Sequence, residues 1–141
     1  MLSQFQQVKC ARTSLVPDCS RRVITQGPLI ENPITSMEGL AALYPIELDK
    51  LSFVGEALSI VRKEVGPSGA AVLGFVGSPW TLATYIVEGK STSLYKTIKS
   101  MAYQQPELLD GILSHLAVQI AEYCRFQIDS GAHYIQVRKL Y

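Results

Sequence analysis

Charge of one sign is the first thing this sequence lacks. Thirteen basic residues stand against twelve acidic ones, a formal net charge of +1. That balance gives no support to nucleic-acid binding, to attraction by an anionic membrane surface, or to an acidic tail. No apolar run approaches the roughly 20 residues that a membrane-spanning helix needs. Cysteine is scarce: Cys10, Cys19 and Cys124 are odd in number, and no two are spaced for a metal knuckle. They argue against a disulfide framework and read as buried or incidental thiols in a reducing compartment. Internal repeats, low-complexity segments and a Gly-x-Ser-x-Gly nucleophile elbow are all missing. Gly74-Phe75-Val76-Gly77 lacks the third glycine and downstream acid of a dinucleotide fingerprint, and no Gly-Lys-Ser/Thr follows it.

What is present is ordinary globular material, 48% hydrophobic over 141 residues, enough for one domain or part of one. Its organising stretch runs from Gly69 to Lys90. Ala70 to Val76 is a continuous apolar run, the pattern of a strand buried on both faces in a parallel sheet. Gly77-Ser78-Pro79 then turns the chain, with Ser78 suited to cap a helix and Pro79 to its first position. Trp80 to Val87 reads as a short apolar helix closed by Glu88-Gly89. A strand's carboxyl end therefore feeds a helix N-terminus, which is where ligands bind in parallel α/β folds.

The rest follows an α/β rhythm. Residues 1–26 are basic, hydroxylated and poor in acids, like an organelle transit peptide; a disordered or mis-assigned terminus is the alternative. Val23-Ile24-Thr25 could form a brief strand. Gly27-Pro28 and Asn32-Pro33 mark turns. Thr35-Ser36-Met37-Glu38 matches a capping box opening a helix to about Tyr44. Ile46 to Leu51 is a linker, and Ser52 caps a helix over 53–65 with Val54, Ala57, Leu58, Val61 and Val65 on its apolar stripe. Leu94 to Tyr103 is a basic amphipathic helix. Pro106 opens the longest helix, to about Ser130, with a stripe of Leu109, Ile112, Leu113, Leu116, Ile120, Tyr123, Cys124 and Ile128. Gly131 suits the position after that helix, and Ala132 to Val137 reads as a second buried strand. The fold class is α/β with parallel strands, either doubly wound or part of a (β/α)8 TIM barrel, since a whole barrel takes about 250 residues.

His115, beside the long helix's stripe, and His133, opening the last strand, both read as structural. Tyr85 offers an apolar ring with a polar tip, suited to a flat ligand with polar edges, though periodicity alone places it in the core. Glu88 reads as a surface or capping acid.

Gly74-Phe-Val-Gly-Ser-Pro-Trp-Thr-Leu-Ala-Thr-Tyr-Ile-Val-Glu-Gly89 resembles the signature of the uroporphyrinogen decarboxylase family. Gly27-Pro-Leu-Ile-Glu-Asn-Pro33, Leu51-Ser-Phe-Val-Gly-Glu-Ala-Leu58 and Gly131-Ala-His-Tyr-Ile-Gln136 are similar to it as well, most closely to plant and algal plastid members. The resemblance covers about Gly27 to Gln136, a middle part of the enzyme. It implies a TIM barrel, a homodimer for the full-length family, no cofactor and a tetrapyrrole substrate. The implied reaction removes carbon dioxide from four acetate side chains of uroporphyrinogen III, giving coproporphyrinogen III for haem and chlorophyll synthesis. Plastid localisation is implied, with cytoplasm the alternative.

Carried over by position, Tyr85 matches the family's substrate-contacting tyrosine, and Phe75, Gly77 and Trp80 become walls of the same cleft. The helix N-terminus at Ser78 would favour substrate carboxylates. No catalytic residue is assigned. The family's amino-terminal arginine motif, its pyrrole-gripping aspartate, its later serine contact and its carboxyl-terminal histidine find no counterpart. Lys90 replaces a glycine, and Val137-Arg138-Lys139-Leu140-Tyr141 departs from the family, so 138–141 reads as a non-family tail after a partial barrel over 27–137. These departures read as truncation, and as a chain inactive by itself. A cobalamin-linked methyltransferase barrel and a non-catalytic porphyrinogen-binding module are the competing readings.

Overall fold

The computed structural model describes Ile30, residues 32–90, Thr92 and residues 94–139. The expected brief strand at 23–25, the segment 1–26, Cys10, Cys19 and the last two residues of the tail lie outside the described residues.

Two strands form the sheet among the described residues: β1 (Leu73–Gly77) and β2 (Tyr134–Arg138). They pair in parallel, with Leu73 opposite Tyr134 and Gly77 opposite Arg138. A parallel pair needs a long crossover. Here it consists of α3 (Pro79–Glu88), α4 (Lys96–Gln104) and α5 (Pro106–Asp129). Ahead of β1 come α1 (Met37–Ala41), a 3-10 turn (Leu48–Leu51) and α2 (Ser52–Val65).

The core lies between the crossover helices and one face of the sheet. Val76 from β1, Ile86 and Val87 from α3, Ile98 from α4, and Ile112 and Leu116 from α5 are all buried in one cluster. Complete burial of a side chain such as Ile112 stabilises by about 1.5–3 kcal/mol. α5 reaches both strands, α1, α2, α3 and α4, so it is the central post of the unit.

Several sequence expectations need correction. Neither strand is buried on both faces. In β1, Gly74 and Val76 are buried while Leu73 and Phe75 are 54% and 68% exposed. Tyr134 in β2 is 65% exposed and shares its open face through the register. The physical reason is that the described helices cover only one side of the sheet. The strands also begin later than expected, at Leu73 and Tyr134.

The first helix is capped by Ser36, whose Oγ accepts the Gly39 N–H at 3.2 Å, rather than by Thr35. Ile34 is buried and donates its N–H to the Ile86 carbonyl at 3.0 Å, which fixes the chain one residue short of Thr35. α1 ends at Ala41, before Tyr44. α2 starts at Ser52 without a side-chain cap, because the preceding 3-10 turn leads directly into it. Its stripe is only partly covered, with Val54, Leu58 and Val65 half-buried and Ala57 and Val61 exposed. What anchors α2 is Gly55, where an added Cβ would lie 2.9 Å from Ser130 Oγ and 3.0 Å from Phe126 Cζ. On α5 the stripe holds from Leu109 to Cys124, but Ile128 is exposed. Ile128 sits 100° of helical turn from Leu109, at the margin of the face.

Candidate functional site

The carboxyl ends of β1 and β2 meet the start of α3, and local sequence dictates how. Ser78 is extended and caps α3, its Oγ accepting the Thr81 N–H at 3.2 Å, and Pro79 takes the first helical position. Gly77 is half-buried; a Cβ there would lie 3.2 Å from Leu82 Cδ2, so glycine lets Leu82 fold over the strand end.

β2 is tied into this corner. The Ser78 N–H donates to the Arg138 carbonyl at 2.7 Å, and Thr81 Oγ1 donates to the same oxygen at 3.1 Å. Thr84 Oγ1 in turn donates to the Thr81 carbonyl at 2.6 Å. Thr81 and Thr84 are both buried, so these hydroxyls are satisfied inside the fold. The first turn of α3 is consequently less open to an anion than its sequence implies. Pro79 has no N–H, and the Thr81 N–H is taken by Ser78. The Trp80 N–H is left as the first-turn donor without a protein acceptor among the described residues.

The four residues assigned to a substrate cleft occupy different surroundings on this corner. Phe75 projects from the open face of the sheet. Trp80 is half-buried and packs against the core cluster. Gly77 is the turn itself. Tyr85 is half-buried on α3, and its carbonyl accepts the Gly89 N–H at 2.9 Å. A separate surface depression of about 400 Å³ lies at the start of α5, lined by Met37, Gln104, Gln105, Pro106, Glu107 and Leu108; it includes none of these four.

Glu88 is a capping acid. Its Oε1 accepts the Ile98 N–H at 3.1 Å and its Oε2 accepts the Thr97 hydroxyl at 3.0 Å. It thus satisfies the N-terminus of α4, where Tyr95 sits in the left-handed region and offers no side-chain cap. Gly89 adopts a φ of 73°, and its carbonyl accepts the Ile30 N–H at 2.7 Å. Lys90, the departure from the signature, is exposed.

His133 has a structural task. Its Nδ1 accepts the Val72 N–H at 2.9 Å while its backbone N–H donates to the Val72 carbonyl at 2.8 Å, with the Arg62 guanidinium against its ring. His115 is half-buried on α5. Among the described residues no group of three His, Cys, Asp or Glu side chains is placed to hold a metal ion. Cys124 is a half-buried free thiol, pushed above its ordinary pKa by burial. Burial, and then the neighbouring Cys124, raise Tyr123 as well.

Sequence reasoning missed two glutamines on α5. Gln119 is buried and its Oε1 accepts the Ile46 N–H at 2.6 Å. Gln127 is buried and its amide pairs with both the N–H and the carbonyl of Phe75, each at 3.2 Å. A signal existed: Gln127 stands eighteen residues after Leu109, five whole turns at 3.6 residues per turn, in the middle of the apolar stripe. A polar side chain at the centre of such a stripe needs a buried partner.

The chain is similar to known proteins over most of its length. The family model described as uroporphyrinogen decarboxylase (URO-D) matches residues 21–139. The uroporphyrinogen decarboxylase of Prochlorococcus marinus (strain MIT 9303) is 54% identical over 116 residues, 82% of this chain and 33% of that protein. That of Synechococcus sp. (strain CC9902) is 54% identical over 114 residues, 80% of this chain and 32% of that protein. The rice protein named uroporphyrinogen decarboxylase 1, chloroplastic, is 51% identical over 113 residues, 80% of this chain and 28% of that protein. The chain spans about a third of the length of the curated relatives it matches.

Proposed function

The chain belongs to the uroporphyrinogen decarboxylase family, and from that premise we propose that it forms one wall of a uroporphyrinogen-decarboxylating site. The substrate would be uroporphyrinogen III and the product coproporphyrinogen III, by loss of carbon dioxide from four acetate arms. The observation that carries this reading is the junction at Gly77, Ser78 and Arg138. Two parallel strands end in register there, at a helix start, the position where α/β folds bind ligands.

The chemistry defines what the wall must do. An acetate on a pyrrole has no ready electron sink, so the ring must be protonated before the carboxylate carbon departs. The site then needs a proton donor, a group to hold carboxylates and a means of stabilising ring charge. On this wall Tyr85 is the substrate contact we assign, with a phenol able to donate to a developing charge. Phe75 and Trp80 supply apolar surface for the tetrapyrrole, and the Trp80 N–H is a donor for one carboxylate arm. We place the two strands in a TIM barrel whose interior is the face carrying Leu73, Phe75 and Tyr134. A homodimer and a plastid address belong to the same proposal; the cyanobacterial relatives are as similar as the chloroplastic one.

The test is a chimera. Residues 30–138 replace the matched stretch of the Prochlorococcus marinus relative, and conversion of uroporphyrinogen to coproporphyrinogen is followed. Retained turnover supports the proposal. A folded chimera that binds no porphyrinogen and releases no carbon dioxide sinks it. These 141 residues alone are expected to yield no coproporphyrinogen, because they span about a third of the relatives' length.

A further inference from the structure

Arg138 closes β2 at the corner where α3 begins. Its carbonyl accepts the Ser78 N–H at 2.7 Å and the Thr81 hydroxyl at 3.1 Å. The residue that reads in sequence as the first of a non-family tail is thus anchored by its backbone to the strand-to-helix junction. Its side chain is exposed, and no carboxylate among the described residues pairs with the guanidinium. Arginine brings five N–H donors in a rigid fork. Here the backbone fixes where that fork starts, and its charge is left available.

The sheet places that cation on a particular row. Side chains alternate between the two faces of a strand. β1 and β2 pair with Leu73 opposite Tyr134, Phe75 opposite Gln136 and Gly77 opposite Arg138. Ile135, on the other face, packs against the core. Arg138 therefore shares the open face with Leu73, Phe75 and Tyr134, all more than half exposed. It stands at the carboxyl end of that face, and its register partner Gly77 has no side chain to cover it. Phe75 lies two residues before Gly77, about 7 Å along the strand. The row thus runs from apolar surface to a single positive charge over the length of a ring and one side arm.

We propose that Arg138 holds one carboxylate arm of the tetrapyrrole while the ring lies over Phe75 and Tyr134. The inference rests on the decarboxylase reading and gives the carboxylate-holding group which that chemistry requires a residue on this wall. The guanidinium fork meets a carboxylate with two parallel N–H donors, a stronger contact than one between neutral groups. Arg138 is thereby a specificity residue. It favours rings that carry anionic arms over rings that do not.

The 141-residue chain is titrated with uroporphyrin, the stable oxidised ring that keeps every carboxylate arm of the substrate. A porphyrin whose arms end in uncharged hydroxyls is the second probe. Binding is read from porphyrin fluorescence and from the Arg138 side-chain Nε–H resonance. Uroporphyrin is expected to shift that resonance, and Arg138→Gln to weaken its binding by about tenfold. Arg138→Lys should recover part of the loss, since a point charge remains without the fork. Lys139→Gln removes the same charge one residue on and should leave binding within about twofold. The hydroxyl-armed porphyrin should bind wild type and Arg138→Gln alike.

Equal binding of uroporphyrin by wild type and Arg138→Gln overturns the proposal and leaves the decarboxylase reading standing. An equal loss in Lys139→Gln overturns it as well, as an effect of net charge. So does a shift of the Arg138 resonance by succinate at the same concentration, because the arm would then need no ring. If neither porphyrin binds, the reading and the inference fall together. Uroporphyrin binding that depends on Arg138, beside an inactive chimera, keeps Arg138 and removes the decarboxylation. Should Arg138→Gln fail to fold, the wild-type resonance decides alone.

Discussion

Gln127 Oε1 lies 2.6 Å from the point where a Cβ on Gly74 would be, although the two residues sit on different elements 53 positions apart. A Cβ there would also lie 2.7 Å from Ile135 Cδ1 of β2, so glycine leaves room for the amide from α5 and for that isoleucine. The φ of Gly74 is not in the left-handed region, so the requirement is space and not backbone conformation.

Gly74→Ala is therefore expected to destabilise the protein by about 1–3 kcal/mol, through the clash and the loss of the two Phe75 hydrogen bonds. Gly66→Ala is the control. Gly66 has a helical φ of −49°, and a Cβ there meets nothing within 4 Å beyond its chain neighbours. Pro67 follows it and disfavours a helical residue bearing a Cβ, so that change should cost up to about 1 kcal/mol, less than Gly74→Ala. Urea unfolding of both variants checks the pair; similar midpoints would show that neither Gln127 nor Ile135 constrains Gly74.

Glu88 joins two helices through one carboxylate. Glu88→Ala should cost about 1 kcal/mol and loosen the start of α4, since the Ile98 N–H and the Thr97 hydroxyl both lose their acceptor. Amide exchange at Ile98 is the direct measurement, expected to rise by several-fold while exchange within α5 stays unchanged. Glu88→Gln keeps one acceptor oxygen and should restore part of the protection. An effect spread evenly over α3, α4 and α5 would argue against a local cap.

Burial holds the proton on Cys124, and on Tyr123 beside it. Each folded-state pKa lies above its unfolded value, and for these acids the raised value marks a charged form that the fold disfavours. As pH climbs past the unfolded thiol value of about 8.5, the unfolded chain releases a proton that the folded chain retains. Stability from this source is therefore level below about pH 8 and falls as pH rises further. Cys124→Ala should flatten part of that decline in denaturation midpoints taken from pH 7 to 10. Alkylation of the thiol at pH 8 should also be slower in the native protein than in the unfolded chain. A native rate equal to the unfolded one would contradict the shift.

Local chemistry was legible in the sequence, and long-range context was not. Ser78 as cap, Pro79 at the first helical position and Glu88-Gly89 as the close of the helix are each settled within four residues, and each formed as read, with Gly89 in the left-handed region. The pairing of β1 with β2 followed from the strand–helix alternation. Burial of the strands was misjudged, because the apolar run from Ala70 to Val76 states what the strand could face and not what covers it. The capping box at Thr35 lost to Ser36 through a distant contact, Ile34 with Ile86. Gln127 was invisible for the same reason. Its partner, the Phe75 backbone, has no sequence signature, and only its place within the stripe hinted that it was buried.

Tyr85 is the residue on which the proposed function can be tried most sharply. In the chimera described above, Tyr85→Phe keeps the ring and its packing on α3 and removes only the hydroxyl. If the phenol donates to charge developing on the substrate, kcat should fall by about tenfold to a hundredfold with KM much less affected. Tyr85→Ala removes the apolar surface as well, and should raise KM in addition to lowering kcat. The opposite pattern would be informative: a lost midpoint in Tyr85→Phe with unchanged kcat would make the hydroxyl part of the fold. Tyr85 would then be a core tyrosine, as its periodicity alone suggests, and the substrate contact would have to come from the open face around Phe75.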